Sequence, residues 1–117
     1  MKRALYSALA ALPALLAIAA MTTLYLQQAI DPMLFFNSDA QYLPALYADL
    51  VEQGGRLRQW YLTPAPYFLP DWPLYFAARW LSGDAFHAWA LVMAAQALAL
   101  WGLAALLARR YVALPQA

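Results

Sequence analysis

Asn37-Ser38-Asp39-Ala40-Gln41-Tyr42 and Trp60-Tyr61-Leu62-Thr63-Pro64-Ala65-Pro66-Tyr67-Phe68-Leu69-Pro70-Asp71-Trp72 are the densest parts of a polar, aromatic-rich middle that runs from Asp31 to Asp84. All six acidic residues of the 117-residue chain fall in that interval, ends included. On either side the chain is almost pure hydrocarbon, closed at its outer ends by Lys2-Arg3 and Arg109-Arg110. This distribution decides the expected fold: two membrane helices holding a polar segment against the outer face of a bilayer.

Composition points the same way. Hydrophobic residues make up 66% and charged residues 11% of the chain, against roughly 45–50% and about 25% in soluble globular chains. Surface that apolar needs lipid for a solvent. The net charge of +1 lacks the basic excess that nucleic-acid binding requires. With no cysteine there is no disulfide framework, thiolate metal site or cysteine nucleophile.

Residues 4–30 carry no charge. As a helix they extend about 40 Å, enough for a hydrocarbon core of roughly 30 Å with tilt or overhang. Pro13 lies inside, and membrane helices tolerate proline where neighbouring groups compensate. An aspartate at the bilayer centre costs about 2.5–3.5 kcal/mol, against about 0.5 kcal/mol gained per leucine, so the span stops before Asp31. A cleaved signal peptide shares some of these ingredients: Lys2-Arg3, an apolar core and a small-residue Ala17-Ile18-Ala19 site. Leu24, Leu26 and Ile30 extend the apolar run past that site and favour an uncleaved anchor.

Residues 85–108 form the second expected span. Asp84 is placed to cap it, and Phe86, His87 and Trp89 suit an interface. The positive-inside rule puts both basic ends, with the 109–117 tail, in the cytoplasm, and the 31–84 segment outside.

Within that segment, Leu43, Leu46, Tyr47, Leu50 and Val51 recur at helical spacing. They predict an amphipathic helix over about 43–53, capped by Ser38 or Asp39 and ended by Gly54-Gly55. Pro44 fits its first turn or bends it. The stripe serves a helix on the membrane surface or one packed on the neighbouring spans of a larger protein. Pro64, Pro66, Pro70 and Pro73 forbid a long helix through Trp72. Asp71 can cap a second short helix over about 72–82, with Gly83 after its end. The expected fold is thus an all-α membrane protein, with two transmembrane helices joined by an external segment carrying two short interfacial helices.

Asp39 is the most credible reactive group. A carboxylate just outside the bilayer can serve as a general base or help to hold a divalent cation, and it can equally cap a helix. Asp71 is the second carboxylate, and no spacing in the sequence says that the two meet. Arg56, Arg58 and Arg79 offer forked donors for phosphate, or simply sit near anionic head groups. Trp60, Tyr67 and Trp72 belong to a set of aromatics that suits a sugar platform or an interfacial belt. Gln96, at mid-span, needs a hydrogen-bond partner on another helix. No metal-spaced cluster or cofactor motif is present, so no cofactor is expected beyond that cation.

The arrangement resembles the N-terminal part of polytopic membrane glycosyltransferases of the GT-C class. The resemblance lies in a first span with a cytoplasmic start and an acidic motif just outside it, Asn37-Ser38-Asp39-Ala40-Gln41-Tyr42. A helix ending in Gly54-Gly55, an aromatic-proline loop and a returning span follow. The resemblance implies a polyprenyl-phosphate-linked sugar as donor, Asp39 as the catalytic base or metal-linked residue, and further membrane helices that complete the site. The 117 residues alone are then expected to be inactive. The alternative is a small non-enzymatic integral membrane protein that associates with a larger membrane partner.

Overall fold

The computed structural model describes residues 2–31, 34, 39–62 and 68–112. Every regular element among them is helical. Helix α1 covers Lys2–Leu26, α2 Tyr42–Tyr47, α3 Asp71–Ser82 and α4 Ala85–Val112. A π-helical turn, Ala48–Glu52, extends α2, and a short 3-10 turn covers Leu57–Gln59.

Helix α4 contains a stretch, Ala85–Ala108, that is long and apolar enough to cross a membrane, with mean hydropathy 2.0. In α1 the corresponding described run, Ala11–Leu26, is shorter. Pro13 is accommodated without breaking α1. Thr22 and Thr23 turn their hydroxyls back onto the carbonyls of Ile18 and Ala19, both at 2.8 Å, which satisfies them without leaving the helix.

Helix α1 ends at Leu26, four residues before the expected limit at Ile30. Gln28 takes a left-handed conformation, φ 54°, and the Ala29 N–H donates back to the Leu24 carbonyl at 2.9 Å. That closing turn stops the helix before the apolar sequence runs out. At the far end α4 continues beyond Ala108 through Arg109-Arg110 to Val112.

Helix α4 is the central element. Helix α1 runs antiparallel along one side of it, and the two are fastened where α1 ends. There Tyr25 is buried, its ring stacks on Phe86 at 4.5 Å, and its hydroxyl donates to the Phe86 carbonyl at 3.2 Å. Helix α3 occupies another side. Gly83, in the left-handed conformation with φ 80°, ends α3, and Asp84 starts α4. So short a connection makes the two helices antiparallel neighbours. The Asp84 carboxylate caps α4 as expected, accepting from the His87 N–H at 3.0 Å.

The core lies between α2, α3 and α4: Leu43, Leu46 and Tyr47 pack with Tyr75 and Ala78, and with Ala88 and Val92. The apolar stripe of the first short helix therefore packs on neighbouring helices of the same chain, while Val51 at its far end is exposed. Helix α3 likewise lies alongside the first half of α4 and does not lie flat across its end.

Candidate functional site

Asp39 and Asp71, 32 positions apart in sequence, line one cleft of about 250 Å³ together with Tyr42, Leu43, Trp89 and Gln96. Three elements build it. The turn before α2 carries Asp39, the first residue of α3 is Asp71, and α4 supplies Trp89 and Gln96.

Asp71 does not cap its own helix. Pro70 occupies the capping position, with no side-chain cap. The Asp71 carboxylate instead accepts a hydrogen bond from Gln96 Nε2 at 2.8 Å. The reason is local: a carboxamide on an otherwise apolar helix face must find a partner, and the hairpin brings the start of α3 level with Gln96. Asp39 is no side-chain cap either. The residue preceding α2 is Gln41, again with no side-chain cap, and it is the Asp39 backbone carbonyl that accepts from the Tyr42 N–H at 3.2 Å. The Asp39 carboxylate is left for the cleft.

Trp89 completes the wall. Its ring packs against Tyr75, with centroids 5.1 Å apart. The Trp89 indole N–H and the Tyr75 hydroxyl are both buried and have no hydrogen-bond partner among the described residues. Polar atoms in that state carry a desolvation cost.

The other expected binding residues lie elsewhere. Arg56 and Arg58 are exposed around the 3-10 turn and do not line the cleft. Trp60 donates from Nε1 to Asp49 Oδ2 at 2.6 Å and meets the Tyr42 ring edge-on at 5.7 Å. It supports a cleft residue without lining the cleft. Trp72 packs between Phe68 at 4.9 Å and Phe76 at 6.4 Å, as an edge of the core. Tyr67 lies outside the described residues. Arg79 is paired with Glu52 at 2.8 Å and stands over the Tyr47 ring at 5.4 Å, so it ties α3 to the π-helical turn.

Gly55 has a role that sequence reasoning missed beyond ending the helix. A Cβ there would overlap the Asp49 carboxylate, and the Gly55 N–H donates to the Asp49 carbonyl at 2.8 Å. The π-helical turn, Gly55 and Trp60 thus form one clasp on Asp49. Trp89 was also missed as a site residue. Its sequence signal, an aromatic near a span end, is shared by every interfacial tryptophan.

A second polar feature stands at the start of α4. His87 Nδ1 lies 2.6 Å from Asp84 Oδ2. The Asp84 carboxyl is held below its ordinary range, chiefly by the His87 backbone N–H. Among the described residues no group of three or more His, Cys, Asp or Glu side chains is placed to hold a metal ion.

Comparison with known proteins adds no relative: no family profile, curated protein or solved structure matches the chain.

Proposed function

We propose that the chain is the N-terminal unit of a membrane glycosyltransferase-like protein using a polyprenyl-phosphate-linked sugar, with Asp39 as its base. The observation that carries this reading is the shared cleft. Asp39 is unencumbered by capping, and Asp71 is oriented by Gln96. A positioned carboxylate within reach of a substrate hydroxyl is what proton abstraction requires. The unit holds one wall of a site that further membrane helices of a larger protein complete, so it is inactive alone.

In this reading α1 and α4 both span a bacterial inner membrane, with the basic ends at Lys2-Arg3 and Arg109-Arg110 in the cytoplasm. The antiparallel packing of α1 on α4 and the Tyr25–Phe86 stack near their shared end support it.

The test uses membranes containing the protein as its gene encodes it, assayed for transfer of a labelled sugar from polyprenyl phosphate. Asp39→Asn is expected to abolish transfer while the protein level holds. Unchanged transfer retires Asp39 as the base.

A second reading is a non-enzymatic membrane protein that binds a larger partner. Its support is the exposure of Leu98, Leu100, Leu103, Leu106 and Leu107 along α4. Further apolar spans encoded beyond the Ala117 codon favour the transferase-like reading. An independent short gene favours the partner reading.

A further inference from the structure

We infer that α3 is a re-entrant membrane helix: it enters the bilayer with Asp71 foremost, in the leaflet where α4 starts, and its outward stripe lies against lipid acyl chains. The inference rests on the reading of α1 and α4 as membrane spans and goes beyond it, since it puts part of the segment between them into lipid.

The outward face of α3 is apolar. Its exposed residues are Pro73, Ala77, Trp80 and Leu81, at the i, i+4, i+7, i+8 spacing of one helix face. Trp80 is 77% and Leu81 69% exposed. The inward face, with Tyr75 and Ala78 buried, is apolar as well. The two charged residues of α3 are engaged by other elements: Asp71 accepts from Gln96, and Arg79 pairs with Glu52. A helix on the outside of a water-soluble domain turns polar residues outward, whereas one apolar on opposite faces is covered by protein or by lipid.

Register sets the depth. The bond from Gln96 holds the start of α3 level with a point eleven residues beyond Ala85 in α4, about 17 Å along the axis. Helix α1 marks how far lipid reaches. Tyr25 stacks on Phe86, so the last turns of α1 stand level with the first turn of α4. There Met21, Leu24 and Leu26 are exposed. Lipid that covers them reaches the level of Phe86, and α3 descends from that level beside α4. Head groups take up roughly 5–7 Å on each side of a bilayer, so Asp71 reaches about 10 Å into the hydrocarbon, within one leaflet.

Both ends of α3 suit that placement. Trp80, near the Gly83 turn, stands where membrane proteins concentrate tryptophan. At the deep end Asp71 lines the cleft, and ionisable groups at depth face a cavity or a partner. Pro70 and Pro73 have no N–H, and the Leu74 N–H donates to the Pro70 carbonyl at 3.2 Å, which reduces the donors that the helix start brings into lipid. Membrane helices meet one another at small residues. The stripe ends in Trp80 and Leu81, which fits fluid chains better than a further helix.

The chain has no cysteine, so single cysteines report without background. The test places a nitroxide at Ala77→Cys, Leu81→Cys or Leu103→Cys of the full chain, in vesicles of phosphatidylcholine and phosphatidylglycerol. It compares collisions with oxygen, which concentrates in lipid, and with a nickel chelate, which stays in water. At Ala77 oxygen is expected to dominate, and Ala77 is expected to read about 6 Å deeper than Leu81, the rise of four helical residues. Equal depths would mean a helix flat on the surface, nickel dominance a helix in water, and few collisions with either a cover of protein. Each of these overturns the proposal. Leu103, exposed on α4, separates the two levels. Oxygen there with nickel at Ala77 removes the re-entrant helix and leaves the span, whereas nickel at both removes the span and the proposal together. Should Ala77→Cys fail to fold, native tryptophan emission decides. The part of it lost in Trp80→Phe is expected to be quenched by phosphatidylcholine with brominated chains and spared by aqueous acrylamide, and the reverse overturns the proposal.

Discussion

Gln96 Nε2 donates to Asp71 Oδ1 at 2.8 Å, joining the middle of α4 to the first residue of α3. The bond sets the register of the hairpin and aims Asp71 into the cleft. Hydrogen bonds to charged groups contribute about 1.5–3 kcal/mol. Gln96→Leu is expected to lower unfolding stability in detergent by that amount. Asp71→Asn, which keeps an acceptor, should cost less than half as much. Equal losses would show that the carboxylate charge, and not the bond, sets the register.

Gly55 and Gly54 separate two reasons for a glycine. Gly54 has φ 72° with open space around it, so Gly54→Ala should cost about 1–2 kcal/mol of backbone strain and leave Trp60 emission unchanged. Gly55→Ala must displace the Asp49 carboxylate and break its bond from Trp60. A shift of Trp60 fluorescence in Gly55→Ala alone is the expected result, read against Trp60→Phe.

Tyr75 is fully buried, and its hydroxyl has no partner among the described residues. An unsatisfied buried donor costs about 1–3 kcal/mol. Tyr75→Phe is expected to raise stability by up to that amount, measured by denaturant unfolding. A loss of stability would mean that the hydroxyl has a partner in the folded protein.

Leu46 is fully buried at the centre of the α2–α3–α4 core. Leu46→Ala should cost about 2–5 kcal/mol and detach α2, whereas Val51→Ala, at an exposed position, should change little. Limited proteolysis between residues 39 and 62 distinguishes the two.

Asp84 has its folded pKa lowered below the ordinary 3.8, first by the His87 backbone N–H and also by the His87 side chain. A depressed carboxylate contributes stability above the unfolded value and loses it as pH falls through the folded one. Wild-type α4 is therefore expected to lose capping as pH falls below the ordinary carboxylate range. Asp84→Asn should flatten that acid limb, read as helicity against pH. An unchanged limb would place the acid transition on another carboxylate.

Much of the fold was legible because lipid and glycine impose simple rules. The charge-free runs, the stop at Gly83 and the cap at Asp84 follow from local chemistry. The end of α1 was misplaced because a left-handed glutamine at position 28 gives no sequence signal as clear as glycine does. The capping role expected of Asp71 failed for a tertiary reason. A carboxylate at a helix start has two uses, and Gln96, 25 positions away, claims it.

The sequence by itself determined that the chain is helical and strongly apolar at both ends, with all its carboxylates gathered into the middle. Periodicity and composition are local properties, and burial follows them. Only the tertiary structure decided that Asp39 and Asp71 line one cleft with Trp89 and Gln96, and that Arg56, Arg58, Trp60 and Trp72 stand outside it. Those relationships depend on which face of α4 each short helix meets. That choice is made by the tight turn at Gly83-Asp84 and the complementary packing of Leu46, Tyr75 and Val92, and no spacing along the chain encodes it.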